Sequence, residues 1–271
     1  MFPLQTDSLP DNPGALRDAL EQSLSRVLRP AAGEMVTVED KNYPELDAIR
    51  VSLDDATAGD RPPPRLRSSD TAVEPALRVR HFEITGRPVR VQNAAIDLRC
   101  QASEVEIGQG RDAEGKVILF LRNAVQGHVD LAISIADLEA LVRTAAADAA
   151  RKQGVIVEDV QLSLSSRTDR ALEVQVQVRA RKLFLTVAVH VRGTLEIDEQ
   201  LNARLSGLDC AGEGTLGTLA CGFLTPHLQK FDGRDFSLMA LPLGEVKLRD
   251  VRITVGTDLR VTADFGRAPV V

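Results

Sequence analysis

The 271-residue chain has no Trp and one Tyr, and eight Phe complete its aromatic inventory. Stacking platforms for bases or sugar rings are therefore scarce. Positive charge is also in deficit: 33 Lys and Arg stand against 39 Asp and Glu, for a net charge of -6 and a pI near 5.4. Counterion-driven binding to nucleic acid needs the opposite balance, so that class is set aside. No run approaches the roughly 18 apolar residues that a membrane-spanning helix requires; the nearest pieces are short, such as Val117 to Leu121. The opening Met1-Phe-Pro-Leu-Gln-Thr-Asp-Ser-Leu-Pro has neither a basic n-region nor an apolar h-region, so no secretory signal is read and a cytoplasmic protein is expected. Cys100, Cys210 and Cys221 form no CxxC pair. Their odd number reads as small buried hydrophobes in a reducing compartment, not as a disulfide framework.

What the chain has in quantity is aliphatic alternation. Leu172, Val174, Val176 and Val178 alternate with Glu173, Gln175, Gln177 and Arg179. After the turn-like Arg179-Ala180-Arg181-Lys182 the pattern resumes with Leu183, Leu185, Val187, Val189 and Val191. Successive strand side chains point to opposite faces, so this period of two predicts a long antiparallel hairpin over Leu172 to Ile197 with one apolar face. Each arm of about ten residues would span roughly 33 Å. That face must be covered, and what covers it bears on function.

Other elements are legible around the hairpin. Leu16, Leu20, Leu24, Val27 and Leu28 form a helical stripe over residues 14–29, stopped by Pro30. Short strands are expected at Met35 to Val38 and Leu46 to Leu53. Residues 54–75, with Arg61-Pro62-Pro63-Pro64-Arg65, read as a flexible Pro-rich loop. Strand patterns fill Leu77 to Ile135 with short Gly- and Asn-containing turns, which favours an antiparallel meander. A capping box at Ser134 and Asp137 then opens a helix carrying Leu138, Leu141, Val142, Ala145, Ala146 and Ala149, ending at Gly154. Further strands follow at Val155 to Leu164 and Leu201 to Leu208. A third helix from Leu216 to Phe231 is interrupted by Pro226, and a last hairpin joins Val246 to Val255 with Leu259 to Phe265. The expected fold is one α+β domain over 1–271, a strongly bent antiparallel sheet around a long helix with additional N- and C-terminal helices.

Catalytic signatures are weak. Gly212-Glu-Gly214-Thr-Leu-Gly217 fits GxGxxG and has Asp232 downstream, the outline of a dinucleotide fingerprint. The parallel strands and crossover helices of a Rossmann unit are not readable in the remaining residues, so close strand-to-helix packing is the better account. His81, His128, His190 and His227 have no metal-ligand spacing. His128 and His190 fall on the polar phase of strands and are expected to face solvent. No GxSxG elbow or Walker A run occurs. The chain reads as a non-enzyme, with no cofactor and no metal.

Three stretches carry a family resemblance: Arg80-His-Phe-Glu-Ile-Thr-Gly-Arg-Pro-Val-Arg-Val-Gln-Asn-Ala-Ala-Ile-Asp-Leu, Val129-Asp-Leu-Ala-Ile-Ser-Ile-Ala-Asp-Leu-Glu-Ala-Leu, and Leu238-Met-Ala-Leu-Pro-Leu-Gly-Glu-Val-Lys-Leu-Arg-Asp-Val-Arg-Ile. Together they resemble the DUF2993 (LmeA-like phospholipid-binding) family over residues 77–265, through apolar patterning and order of elements. The resemblance implies a TULIP-like fold, a bent sheet wrapped on a long helix with an elongated apolar cavity for acyl chains. Its expected ligand is a phospholipid or another long apolar molecule, bound or transported, with peripheral membrane contact and no transmembrane segment. Candidate lining residues are Leu138, Val142, Val174, Val176, Val178, Leu185, Val187 and Val189. The alternative is a structural or interaction protein with a filled core that engages a protein partner.

Overall fold

The computed structural model describes residues 2–31, 33–59, 73–151, 154–182, 185–238 and 246–267. The first elements are β1 (Phe2–Pro3), α1 (Pro13–Leu24), β2 (Leu28–Arg29), β3 (Val36–Asn42), β4 (Glu45–Ser52) and β5 (Thr57–Ala58). The long strands β6 (Glu74–Val91) and β7 (Ala94–Arg111) follow, then β8 (Val117–Asn123), β9 (Gln126–Ser134) and α2 (Ile135–Arg151). The rest comprises β10 (Ile156–Thr168), β11 (Ala171–Lys182), β12 (Leu185–Ile197), β13 (Asn202–Gly212), α3 (Gly214–Leu228), β14 (Arg234–Ser237), β15 (Leu248–Val255) and β16 (Asp258–Phe265). The class is α+β, strand-dominated, with a large, strongly bent and mostly antiparallel sheet. Where one unit over 1–271 was expected, contacts gather in two compact units. The first comprises residues 1–132, 240–250 and 262–271; the second comprises 133–239 and 251–261.

In the first unit β6 and β7 form an antiparallel pair of 18-residue strands. At about 3.3 Å per residue each spans roughly 60 Å. The sequence splits β6 at Gly86-Arg87-Pro88, residues that usually end a strand. The ladder instead absorbs them as a register shift between Gly86 and Val89. One pairing departs from the expected meander: β4 runs parallel to β6, with Ile49 opposite Phe82 and Val51 opposite Ile84. Parallel neighbours cannot be joined by a tight turn, so β4 and β6 need a long connection. Its beginning is ordered. β5 pairs with β2 and β6, the Asp55 N–H donates to the Pro88 carbonyl, and Asp54 Oδ1 accepts from the Arg87 N–H at 2.7 Å. The Pro-rich run at 61–65 lies outside the described residues.

α1 is shorter than the expected 14–29. Asn12 caps it by accepting from the Ala15 N–H at 2.8 Å, and Pro13 suits the first turn. The helix ends at Leu24, and Leu28 joins β2. Glu21 draws the chain back, its carboxylate accepting from the Met35 and Val36 N–H groups at 3.0 and 3.1 Å. Leu16, Ala19 and Leu20 are buried into a core shared with β3, β4, β6, β7 and β8.

The second unit holds the five-stranded antiparallel meander β10-β11-β12-β13-β14. Its centre is the hairpin expected from alternation. Val174 lies opposite Gly193, Val176 opposite Val191 and Val178 opposite Val189. β11 runs further than expected: Arg179-Ala180-Arg181-Lys182 continues it, and Ala180 lies opposite Val187. Leu183 lies outside the described residues. α2 begins with the expected capping box, Ser134 Oγ accepting from the Asp137 N–H at 3.0 Å and donating to Asp137 Oδ2 at 2.6 Å.

Candidate functional site

The eight residues chosen as cavity lining all belong to the second unit. Val174, Val176, Val178, Val187 and Val189 share one face of β11 and β12, as the register requires, with Leu185 at the end of the same ladder. Val176 borders a polar concavity with Gln161, Gln175, Gln177, His190 and Asp209. Of the six, Val189 is buried, the other valines are half-buried, and Leu185 is 53% exposed. Leu138 and Val142 are half-buried on α2, which has no fully buried side chain and packs chiefly on β10. There α2 seals a sheet edge: Glu139 Oε2 accepts from the Leu162 N–H at 2.9 Å and Arg143 donates to the Val160 carbonyl at 3.2 Å. An i, i+4 carboxylate–guanidinium pair thus takes up edge groups that would otherwise recruit another strand. Over β12 and β13 the covering helix is α3.

An apolar cavity lies in the first unit, beneath α1. Its volume is about 260 Å³ and all fourteen lining side chains are hydrocarbon. Leu20 and Leu24 come from α1, Ile49 and Val51 from β4, Leu77, Phe82 and Ile84 from β6, Val105 and Ile107 from β7, and Leu119, Phe120 and Leu121 from β8; Phe2 and Leu53 complete it. Pairing brings them into rows, Ile49 beside Phe82, Val51 beside Ile84, and Leu77 beside Ile107 beside Leu121. Odd- and even-numbered residues of one strand meet here because the pleat is interrupted. Glu104 adopts a left-handed φ of 47°, and the buried phase of β7 switches from Val105 and Ile107 to Ala102. Phe2, Leu24, Phe82, Ile84 and Leu121 stay half-buried, giving the cavity a solvent-facing side.

A polar concavity in the same unit is lined by Arg50, His81, Glu83, Gln101, Ser103 and His128 among others. His128 Nδ1 contacts Asp264 Oδ1 at 2.7 Å, both side chains partly exposed. Among the described residues no serine, threonine or cysteine hydroxyl or thiol hydrogen-bonds the other ring nitrogen, the geometry a base-activated nucleophile needs. His190, in the second unit, pairs with Glu213 at 3.1 Å. No group of three His, Cys, Asp or Glu among the described residues could hold a metal.

The GxGxxG stretch has a structural use. A methyl group at Gly212 would collide with the Gly217 backbone, and one at Gly217 would come within 2.9 Å of the Ala188 carbonyl oxygen. The glycines let α3 lie backbone to backbone on β13, while Glu213, the N-cap residue, makes no side-chain bond to the helix end and pairs with His190 instead. The cysteine expectation is corrected here: Cys210 on β13 and Cys221 on α3 form a disulfide, their Cα atoms 5.5 Å apart. A spacing of eleven matches no short motif, and only the fold-back of α3 brings the two together. Cys100 remains free, and burial pushes its thiol up to about 11.

Comparison with protein-family models, curated proteins and solved structures finds no match to this chain. Sequence reasoning identified the strands that build the cavity but not their convergence, which depends on the parallel β4–β6 pairing and on α1 as a roof. Among the described residues no helix is long and apolar enough to cross a membrane.

Proposed function

We propose that this chain is a non-enzymatic lipid-binding protein that takes an acyl chain into the cavity beneath α1. The observation that carries the reading is the 260 Å³ cavity with an entirely hydrocarbon lining. Apolar groups of a guest laid against this lining leave water, and that burial drives binding. At about 30 Å³ per water-sized group the space takes roughly nine methylenes. At about 0.8 kcal/mol each these supply around 7 kcal/mol, a Kd on the order of 10 μM. Specificity for a headgroup is weak, because no polar side chain lines the cavity.

The resemblance to the DUF2993 family points to the same ligand class, but the reading does not rest on a sheet wrapped around α2: the helix over the cavity is α1. The Cys210–Cys221 disulfide favours an oxidising compartment over the cytoplasm.

The test is organic extraction of the purified protein followed by lipid mass spectrometry, with uptake of a fluorescent fatty acid. Val51→Phe, which fills the cavity, lowers uptake at least about tenfold, whereas Val176→Phe on the hairpin leaves it unchanged. An empty extract without uptake, or uptake indifferent to Val51→Phe, refutes the assignment.

A further inference from the structure

We infer that α3 and the segment after it form a docking surface for an anionic lipid bilayer. The inference deepens the lipid-binding reading by naming where the protein meets its lipid source, but it rests on the second unit alone and not on the cavity.

α3 is a poor helix by composition: of its fifteen residues, three are Gly, three Thr and one Pro. Its attachment compensates. Gly217 and Cys221, one turn apart, are buried against the sheet, and the disulfide fixes Cys221 to β13. The opposite stripe is Leu216, Leu219 and Phe223 at i, i+3 and i+7, with Leu224 beside it. A soluble helix would carry charge there. Here Gly214 to Pro226 contains no ionisable side chain, in a chain that is 27% charged. Leu219 is 58% exposed and Phe223 78% exposed. Phe231 and Phe236, in the segment that follows, are also exposed.

Charge selects the occupant. The segment after α3 reads Lys230-Phe231-Asp232-Gly233-Arg234-Asp235-Phe236, and both acids are engaged within the fold. Asp232 accepts from the Leu208 N–H at 2.9 Å, and Asp235 holds the Arg204 guanidinium through two bonds of 2.6 and 2.8 Å. Lys230 and Arg234 pair with no carboxylate among the described residues. The outcome is an uncharged stripe of projecting Leu and Phe, followed in the chain by two unpaired cations and exposed Phe, with the Asp232 carboxylate between the cations turned to the Leu208 N–H. This is the chemistry of an interfacial helix, with rings entering the acyl boundary and cations meeting lipid phosphates. A protein groove would need no such cations, and the stripe projects instead of forming a cleft.

The experiment is flotation of the full, disulfide-intact chain with phosphatidylcholine vesicles, with and without phosphatidylglycerol, at low and high salt. The expected result is binding to the anionic vesicles that weakens with salt. Leu219→Ser with Phe223→Ser lowers it at least about tenfold. Lys230→Gln with Arg234→Gln lowers it about thirtyfold on anionic vesicles and leaves neutral ones unaffected. All four positions are exposed, and an unchanged melting temperature verifies that each variant is folded. No flotation with either vesicle at low salt, or binding unchanged in the Leu219/Phe223 variant, overturns the proposal. A homodimer in light scattering that Phe223→Ser converts to monomer also overturns it, since the face is then covered by a second copy. Vesicle binding by a protein whose extract is empty and which takes up no fluorescent fatty acid removes the cavity reading and leaves the docking surface standing.

Discussion

Reducing the Cys210–Cys221 bond removes a cross-link between residues eleven apart in sequence. For the loop of about twelve residues that it closes, the denatured chain regains about 9.5 cal/mol/K of entropy, or about 2.8 kcal/mol at 25 °C. The loss falls on the second unit, whose roughly 120 residues give an unfolding entropy of about 0.25 kcal/mol/K. Its melting temperature should therefore fall by about 11 °C in the Cys210→Ala, Cys221→Ala double variant or in reductant; if the whole chain unfolds in one transition, the same energy is diluted to about 5 °C. Differential scanning calorimetry of oxidised, reduced and variant protein reads the shift, and thiol counting by mass spectrometry reports the bond. A native chain with three titratable thiols, or a shift under about 2 °C with the bond proven broken, refutes the reasoning. The low intrinsic helicity of α3 argues for the larger effect, since little else restrains its outer half.

Three further outcomes follow. Gly212→Ala should cost about 1–3 kcal/mol by forcing α3 off β13, whereas Gly222→Ala, with open space around it, should gain up to about 1 kcal/mol; urea midpoints compare the two. Cys100, its thiol raised to about 11 by burial, should resist thiol reagents at pH 8 in the folded chain and react once it is unfolded. The Arg204 hydrogen bond holds the Asp235 carboxyl below its ordinary value of 3.8. A lowered folded-state pKa adds stability that is present above that value and is lost as pH falls below it. Melting temperatures taken downward from pH 5 should accordingly drop more in the native chain than in Asp235→Asn.

Elements written in local sequence were legible. Alternation located β11 and β12 on the correct phase, and the helical stripes located α1, α2 and α3, with the capping box of Ser134 and Asp137 in place. The errors share a cause: residues that usually punctuate structure did not do so. Gly86 and Pro88 fall inside β6, and Arg179 to Lys182, polar enough to resemble a turn, extend β11 because Ala180 keeps the apolar phase opposite Val187. Pairing partners far apart in sequence were not legible at all. Neither the parallel β4–β6 contact nor the Cys210–Cys221 bond leaves a pattern within a short window.

The cavity shows why the site was the least readable part. Alternation fixes which residues of a strand share a face, and it assigns Leu77 and Val79 to one face of β6 and Phe82 and Ile84 to the other. A regular pleat would divide them between two surfaces. The interruption at Glu104, opposite a gap in the ladder at Arg80, lets Leu77, Val105 and Ile107 point into the same space as Phe82 and Ile84. Glu104 is charged and unremarkable in sequence, and nothing in its neighbours demands a left-handed backbone. Hydrophobic periodicity therefore favoured the hairpin at 172–197, where the pattern is most regular and where regularity produces an open face. The apolar cavity arises where the pattern breaks.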